Sequence, residues 1–188
     1  MRTAPPNGSL THGDVGFSIS SVSKKPDLTR RSRLRPSQIW TVADRRFDDA
    51  LALRKTKKNK HANGAIYLGG LTIDMIMKVK LIEAHAWLEA AASRQGRSGK
   101  NQRLWRLCYE LHKPEEILAE LPALEQRFLA EGDAGLRLLA KLRSVFAEWS
   151  IFVRYAPQTA DMAQAADFLA KVKELKQWLR RKPGRAAS

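Results

Sequence analysis

Two arginine-to-histidine spacings in this 188-residue chain have the make-up of a metal-independent phosphodiester-cleaving pair: Arg54 to His61 with six residues between, and Arg106 to His112 with five. Cutting RNA without a metal takes a base for the 2′-hydroxyl proton, a cation for the charged phosphorane and an acid for the leaving oxygen. Histidine and arginine can fill those roles. A chain this rich in basic residues also produces one or two such matches by chance. On a continuous helix Arg106 and His112 would stand about 240° apart round the axis, so they meet only if the helix ends early, which Pro114 permits. A second set lies in "HANGAIYLGGLTIDMIMKVK", residues 61–80, where Asp74 and Lys78 form an i, i+4 pair. Such a pair stabilises a helix by about 0.3–0.5 kcal/mol. The Gly69-Gly70 pair in the same stretch costs about 1 kcal/mol per glycine relative to alanine. It needs an offsetting gain, and close approach of another helix or of a partner subunit would supply one.

The elements that must position these groups are helical. Residues 1–35 lack periodicity and are expected to be a disordered basic tail. From Pro36-Ser37, with Ser37 as a cap, Ile39, Trp40, Ala43, Phe47, Ala50 and Leu51 recur at spacings of three and four. A basic loop at 54–60 leads to a second, central helix predicted over Ala62–Ala92, which would carry His85 and Trp87 as packing residues. The stretch "SRQGRSGKNQ" (93–102) reads as a surface loop. A short helix then runs to Lys113-Pro114, Pro114 opens the next, and Pro122 kinks or divides it. The third long helix carries Leu136, Leu139, Leu142, Val145, Phe146, Trp149 and Phe152 until Pro157 stops it. The last runs over about Thr159–Arg181 through Met162, Ala165, Leu169, Val172, Leu175 and Leu179. No segment shows the alternation a sheet needs. The expectation is an all-α, four-to-five-helix bundle over 36–182, with a short basic tail at 183–188.

Charge is unevenly placed. The net +15 comes from 34 basic and 19 acidic residues. Residues 24–35 hold about +5, 54–60 about +5 and 180–185 about +4, leaving a nearly neutral body. Clusters of this kind attract polyanions through counterion release. The candidate contacts are Arg30, Arg31, Arg33, Arg35, Arg54, Lys55, Lys57, Lys58, Lys60, Arg180 and Arg181. The single Cys108 rules out an internal disulfide, and the four histidines show no ligand spacing, so neither a metal site nor a cofactor is expected. There is no glycine-rich phosphate loop and no serine nucleophile elbow. Neither a signal-peptide core nor a membrane-spanning run is evident, and a cytoplasmic protein is expected. Trp105, Trp149 and Trp178 fall on apolar stripes and read as core.

Several segments resemble the HEPN (higher eukaryotes and prokaryotes nucleotide-binding) domain. "AIYLGGLTIDMIMKVK" is similar to that family's second-helix pattern, with Asp74 in the acidic place and Lys78 four residues on. "HKPEEIL" at 112–118 resembles its histidine-led segment, "FAEWSIFVRY" its aromatic third-helix end, and "LKQWLRR" its closing helix. The likeness covers about 37–180. It implies a helical bundle, often a homodimer, that is either an RNA-cleaving toxin or defence component or a non-catalytic RNA- or nucleotide-binding module. The cleaving members place an arginine near Arg154 and a histidine four to six residues beyond; "RYAPQTADMA" has no histidine. Asp74 and Lys78 then read either as a structural ion pair or, more sharply, as part of a polar cluster in which Asp74 orients Arg154 across the bundle, left over from or serving as a nucleotide site.

The reading is a non-catalytic RNA- or nucleotide-binding module of toxin–antitoxin or defence type. Its expected partners are RNA or another polyanion, a second copy, and an antitoxin or other protein. Two alternatives stand beside it. One is an endoribonuclease toxin using Arg106 with His112, or Arg154 with His61; the other is an adaptor binding a partner through its Gly69-Gly70 face.

Overall fold

The structure, a computed structural model, describes residues 35–90, 98–157 and 159–181. Among these residues there are eight α-helices, two 3-10 turns and no strand. The expected tails, Arg30, Arg31 and Arg33 included, and residues 93–97 of the expected loop lie outside the described residues.

Helix α1 spans Pro36–Lys55. Pro36 takes its first position, where the missing N–H would have had no helical partner, and the Gln38 side chain accepts from the Arg35 backbone N–H at 2.9 Å. Ser37, expected as the cap, instead lies inside the first turn, where its carbonyl accepts from the Thr41 hydroxyl. The buried face is Ile39, Ala43, Phe47 and Ala50, as the spacing predicts. After a 3-10 turn at Asn59–His61, α2 runs over Ala62–Ala84. It is the central helix and packs against α1, against the later helices and against a 3-10 turn near residue 153. It stops short of the expected Ala92: His85 leaves the helical region (φ −131°, ψ 71°) and a single turn, α3, begins again at Trp87–Ala90. His85 and Trp87 therefore sit beyond α2, both half-buried.

Helix α4 covers Gly99–Tyr109, so the last four residues of the polar stretch expected to run to Gln102 are helical. Proline opens both α5 (Pro114–Ala119) and α6 (Pro122–Ala130), and Pro122 divides the pair. Gly132, at φ +58°, makes the tight corner into α7 (Gly132–Glu148). This helix is shorter than predicted. Trp149 adopts an extended conformation (φ −121°, ψ 138°) and the chain continues as a 3-10 turn over Ile151–Tyr155. Helix α8, Met162–Arg180, starts with a reciprocal cap: Asp161 Oδ1 accepts from Gln164 N–H at 2.8 Å and Gln164 Oε1 from Asp161 N–H at 2.9 Å.

The glycine pair of α2 is the seat of two other elements. A Cβ at Gly69 would lie 2.7 Å from Leu169 Cδ2 of α8, and one at Gly70 would lie 2.1 Å from the Trp149 indole. The indole N–H donates to the Tyr67 carbonyl at 3.1 Å. Helix α7 ends where it does because Trp149 must turn out of helical register to fill that groove. Burial of a large side chain stabilises by about 1.5–3 kcal/mol, more than two glycines cost a helix. Both glycines are buried by the chain's own residues. That closes the face the adaptor reading relied on. Trp105, Trp149 and Trp178 are all core residues, with Trp178 stacked on Phe128 at 3.9 Å between centroids.

Candidate functional site

Asp74 is fully buried on α2, and one of its oxygens binds two partners. Lys78 Nζ lies 3.0 Å from Oδ2, one turn along the same helix. His112 Nδ1, in the link between α4 and α5, lies 2.8 Å from the same oxygen. A carboxylate accepts, so Nδ1 of the partly exposed ring carries the hydrogen. Asp74 Oδ1 has no hydrogen-bond partner among the described residues. The central helix and the link between α4 and α5 thus meet at this carboxylate.

Cys108 is buried beside this group. Burial, the largest effect, pushes its thiol up to about 12; the Lys78 charge pulls the other way and Asp74 adds to the rise. A thiol so raised is no nucleophile at neutral pH.

The expected Asp74–Lys78–Arg154 cluster forms only in its first two members. Arg154 belongs to the 3-10 turn, where its guanidinium lies 4.4 Å from the Tyr155 ring centroid and 5.8 Å from that of Tyr67. Its Nη1 is 3.4 Å from the Tyr67 hydroxyl. The helix end at Glu148 is the cause: an Arg154 on a continued helix would have had a different azimuth. Arg106 is likewise engaged elsewhere, 3.5 Å from Glu110 on its own helix. Helix α4 does end early, at Tyr109, yet no described hydrogen bond or ion pair joins His112 to either arginine. His61 Nδ1 pairs with the Thr56 hydroxyl at 2.9 Å, and no described contact links it to Arg54 or Arg154.

The basic loop is a different kind of surface. Arg54, Lys55, Lys57, Lys58 and Lys60 are all exposed, and among the described residues none makes an ion pair. Lys57 sits at φ +57°, a left-handed conformation that glycine adopts with less strain. Two asparagines hold the loop's far end in place. Asn59 Oδ1 accepts from Met162 N–H at 3.1 Å, and Asn63 bridges the Pro157 carbonyl (3.0 Å) and the Ala160 N–H (3.1 Å). The loop is therefore tied to the segment that follows the 3-10 turn bearing Arg154. Arg35 and Arg181 are also exposed. Arg180 is not free: it binds Asp44 at 2.6 Å and lies over the Trp40 ring.

Sequence reasoning missed three aromatics of this end of the bundle. Tyr67 lies under Arg154, while Phe152 and Tyr155 are 70% and 69% exposed. Phe152 was expected on a core stripe; the non-helical Trp149 takes it off that stripe. No signal short of the early helix stop would have exposed it.

Among the described residues no group of three His, Cys, Asp or Glu side chains gathers as a metal site, and no helix is long and apolar enough to cross a membrane. Comparison of the chain with protein-family models, with curated proteins and with solved structures finds no match.

Proposed function

We propose that this chain is a helical module that binds RNA through its 54–60 loop and does not cleave it, in the manner of the non-catalytic HEPN-like domains that its sequence resembles. The observation that carries the reading is the loop itself. Five cationic side chains stand exposed and, among the described residues, without ion pairs, on a segment anchored by Asn59 and Asn63, while Asp44, Glu148 and Asp167 are each bound to a lysine. The dispersal of Arg106, Arg154 and His112 over separate partners supports binding without cleavage.

The test is fluorescence anisotropy of a labelled 12-nucleotide single-stranded RNA with the full chain. Engaging about four phosphates gives a slope of log K against log salt near −2.8, or about 50-fold weaker binding at 200 mM than at 50 mM. A flat salt profile, or no binding at 50 mM, would sink the proposal.

A second reading, metal-independent cleavage, draws on one observation: the Asp74 carboxylate holds Nδ1 of a partly exposed His112, as an orienting carboxylate does for a general base. Incubating the same RNA with protein and a chelator separates the two. Cleavage lost in His112→Ala would establish the second reading; intact RNA that is nevertheless bound upholds the first.

A further inference from the structure

We infer that the 3-10 turn at Ile151–Tyr155 is a base-stacking platform, and that the RNA this chain binds is single-stranded where it crosses the turn. The inference rests on the RNA-binding reading above and deepens it. Phe152 and Tyr155 are the most exposed large apolar side chains among the described residues, in a fold that buries Phe47, Phe128 and Phe168 almost completely. Their spacing is i, i+3. On a 3-10 turn, with three residues per turn, such positions eclipse on one face about 6 Å apart along the axis. The two rings thus belong to one surface, on the scale of one or two stacked bases.

The turn is held rather than loose. Ser150 Oγ accepts from Phe152 N–H at 3.2 Å at its start, and the preceding Trp149 is locked into the Gly70 groove by its bond to Tyr67. Beyond its end, Asn63 grips Pro157 and Ala160. Asn63 lies three residues after Lys60, so the aromatic turn and the basic loop are tied to the same first turn of α2. Arg154 fills the space between Tyr155 and Tyr67 with a planar cation, which stacks on bases and contacts phosphate.

Charge decides the occupant. Acids of the adjoining helices are already engaged: Asp161 caps α8, and Glu148 and Asp167 bind Lys171 at 2.8 and 2.9 Å. An acidic strand that also offers flat apolar faces matches a cationic loop tied through Asn59 and Asn63 to the segment that follows the exposed rings. Single-stranded nucleic acid has both properties, and stacking of this kind tolerates any base. A duplex hides its base faces and would contact only the loop.

The experiment compares the wild-type chain with Phe152→Ala/Tyr155→Ala, with Phe152→Tyr/Tyr155→Phe, and with the loop variant Lys57→Ala/Lys58→Ala. The probes are a labelled 12-nucleotide oligouridylate and a 12-base-pair RNA duplex, both at 50 mM salt, with circular dichroism confirming the fold of each variant. Loss of both rings should weaken oligouridylate binding at least about 30-fold with an unchanged salt slope. Exchanging the rings should restore it, and duplex binding should not move. The loop variant should weaken both probes and flatten the slope. Equal oligouridylate affinity in the ring-less variant overturns the platform while leaving the RNA-binding reading intact. Equal losses on strand and duplex overturn it as well, as does a wild-type dimer that the ring-less variant abolishes in sedimentation. Absence of wild-type binding to either probe removes the RNA-binding reading itself.

Discussion

The Trp149 indole lies against the backbone of Gly70, so close that a methyl group there would meet the ring at 2.1 Å. The ring has nowhere to move: it is 5% exposed and its N–H is bonded to Tyr67. Gly70→Ala should therefore destabilise the protein by about 1–3 kcal/mol despite alanine's better helix propensity. Gly64→Ala is the control, since its Cβ would meet only the flexible tip of Leu53 at 3.1 Å. Urea melts followed by circular dichroism should show Gly64→Ala neutral or slightly stabilising and Gly70→Ala shifted to a lower midpoint. Equal midpoints would mean that the groove is not a tight seat.

Asp74 ties Lys78 and the α4–α5 link to the central helix. Asp74→Ala leaves a largely buried ammonium without its counter-charge, and breaking such a pair costs about 3–5 kcal/mol. His112→Ala removes one hydrogen bond to a charged group and should cost about 1.5–3 kcal/mol. RNA affinity of the folded His112→Ala protein should match wild type, because the group is structural. A selective loss of affinity at unchanged stability would contradict that assignment.

Acid sensitivity should map partly to Asp44. Burial works to raise its carboxyl, but hydrogen bonds from Lys176 and Arg180, with their charges, outweigh it and hold the group below the ordinary carboxylate value. A depressed folded-state pKa contributes stability that is complete above the unfolded value of about 3.9 and is lost as pH falls through the folded one. The stability difference between wild type and Asp44→Asn should then be constant from pH 7 to about 5 and shrink below about 4. Thermal melts across that range measure it; a difference that grows in acid would reverse the sign.

Lys57 offers a test with opposite signs. Lys57→Gly relieves the left-handed strain and should stabilise the fold by about 1 kcal/mol. The same change removes one cation, lowering the RNA salt slope by about 0.7. Urea melts and anisotropy on one preparation read both. A destabilised variant, or one with an unaltered slope, would show that the residue's backbone or its charge has been misassigned.

Much of the fold is legible in the sequence because helix geometry is local. Pro36, Pro114 and Pro122 mark helix starts, and residues three and four apart share a face whatever lies around them; so Ile39, Ala43, Phe47 and Ala50 could be read as one buried stripe, and the basic loop as a surface charge. Partners across the bundle follow no such rule. His112 meets Asp74 from 38 residues away, and Gly70 receives a ring from residue 149. Those contacts depend on how helices are rotated and crossed to fill volume, which no single segment specifies. The end of α7 shows the same divide. Its apolar pattern runs on through Phe152, yet the chain leaves the helix at Trp149 because seating that indole against Gly70 takes an extended backbone. Local pattern alone is enough for an all-α chain with a cationic loop. Only tertiary packing decided that Arg154 would lie between two tyrosines, that Phe152 and Tyr155 would face outward, and that Asp74 would pair with histidine.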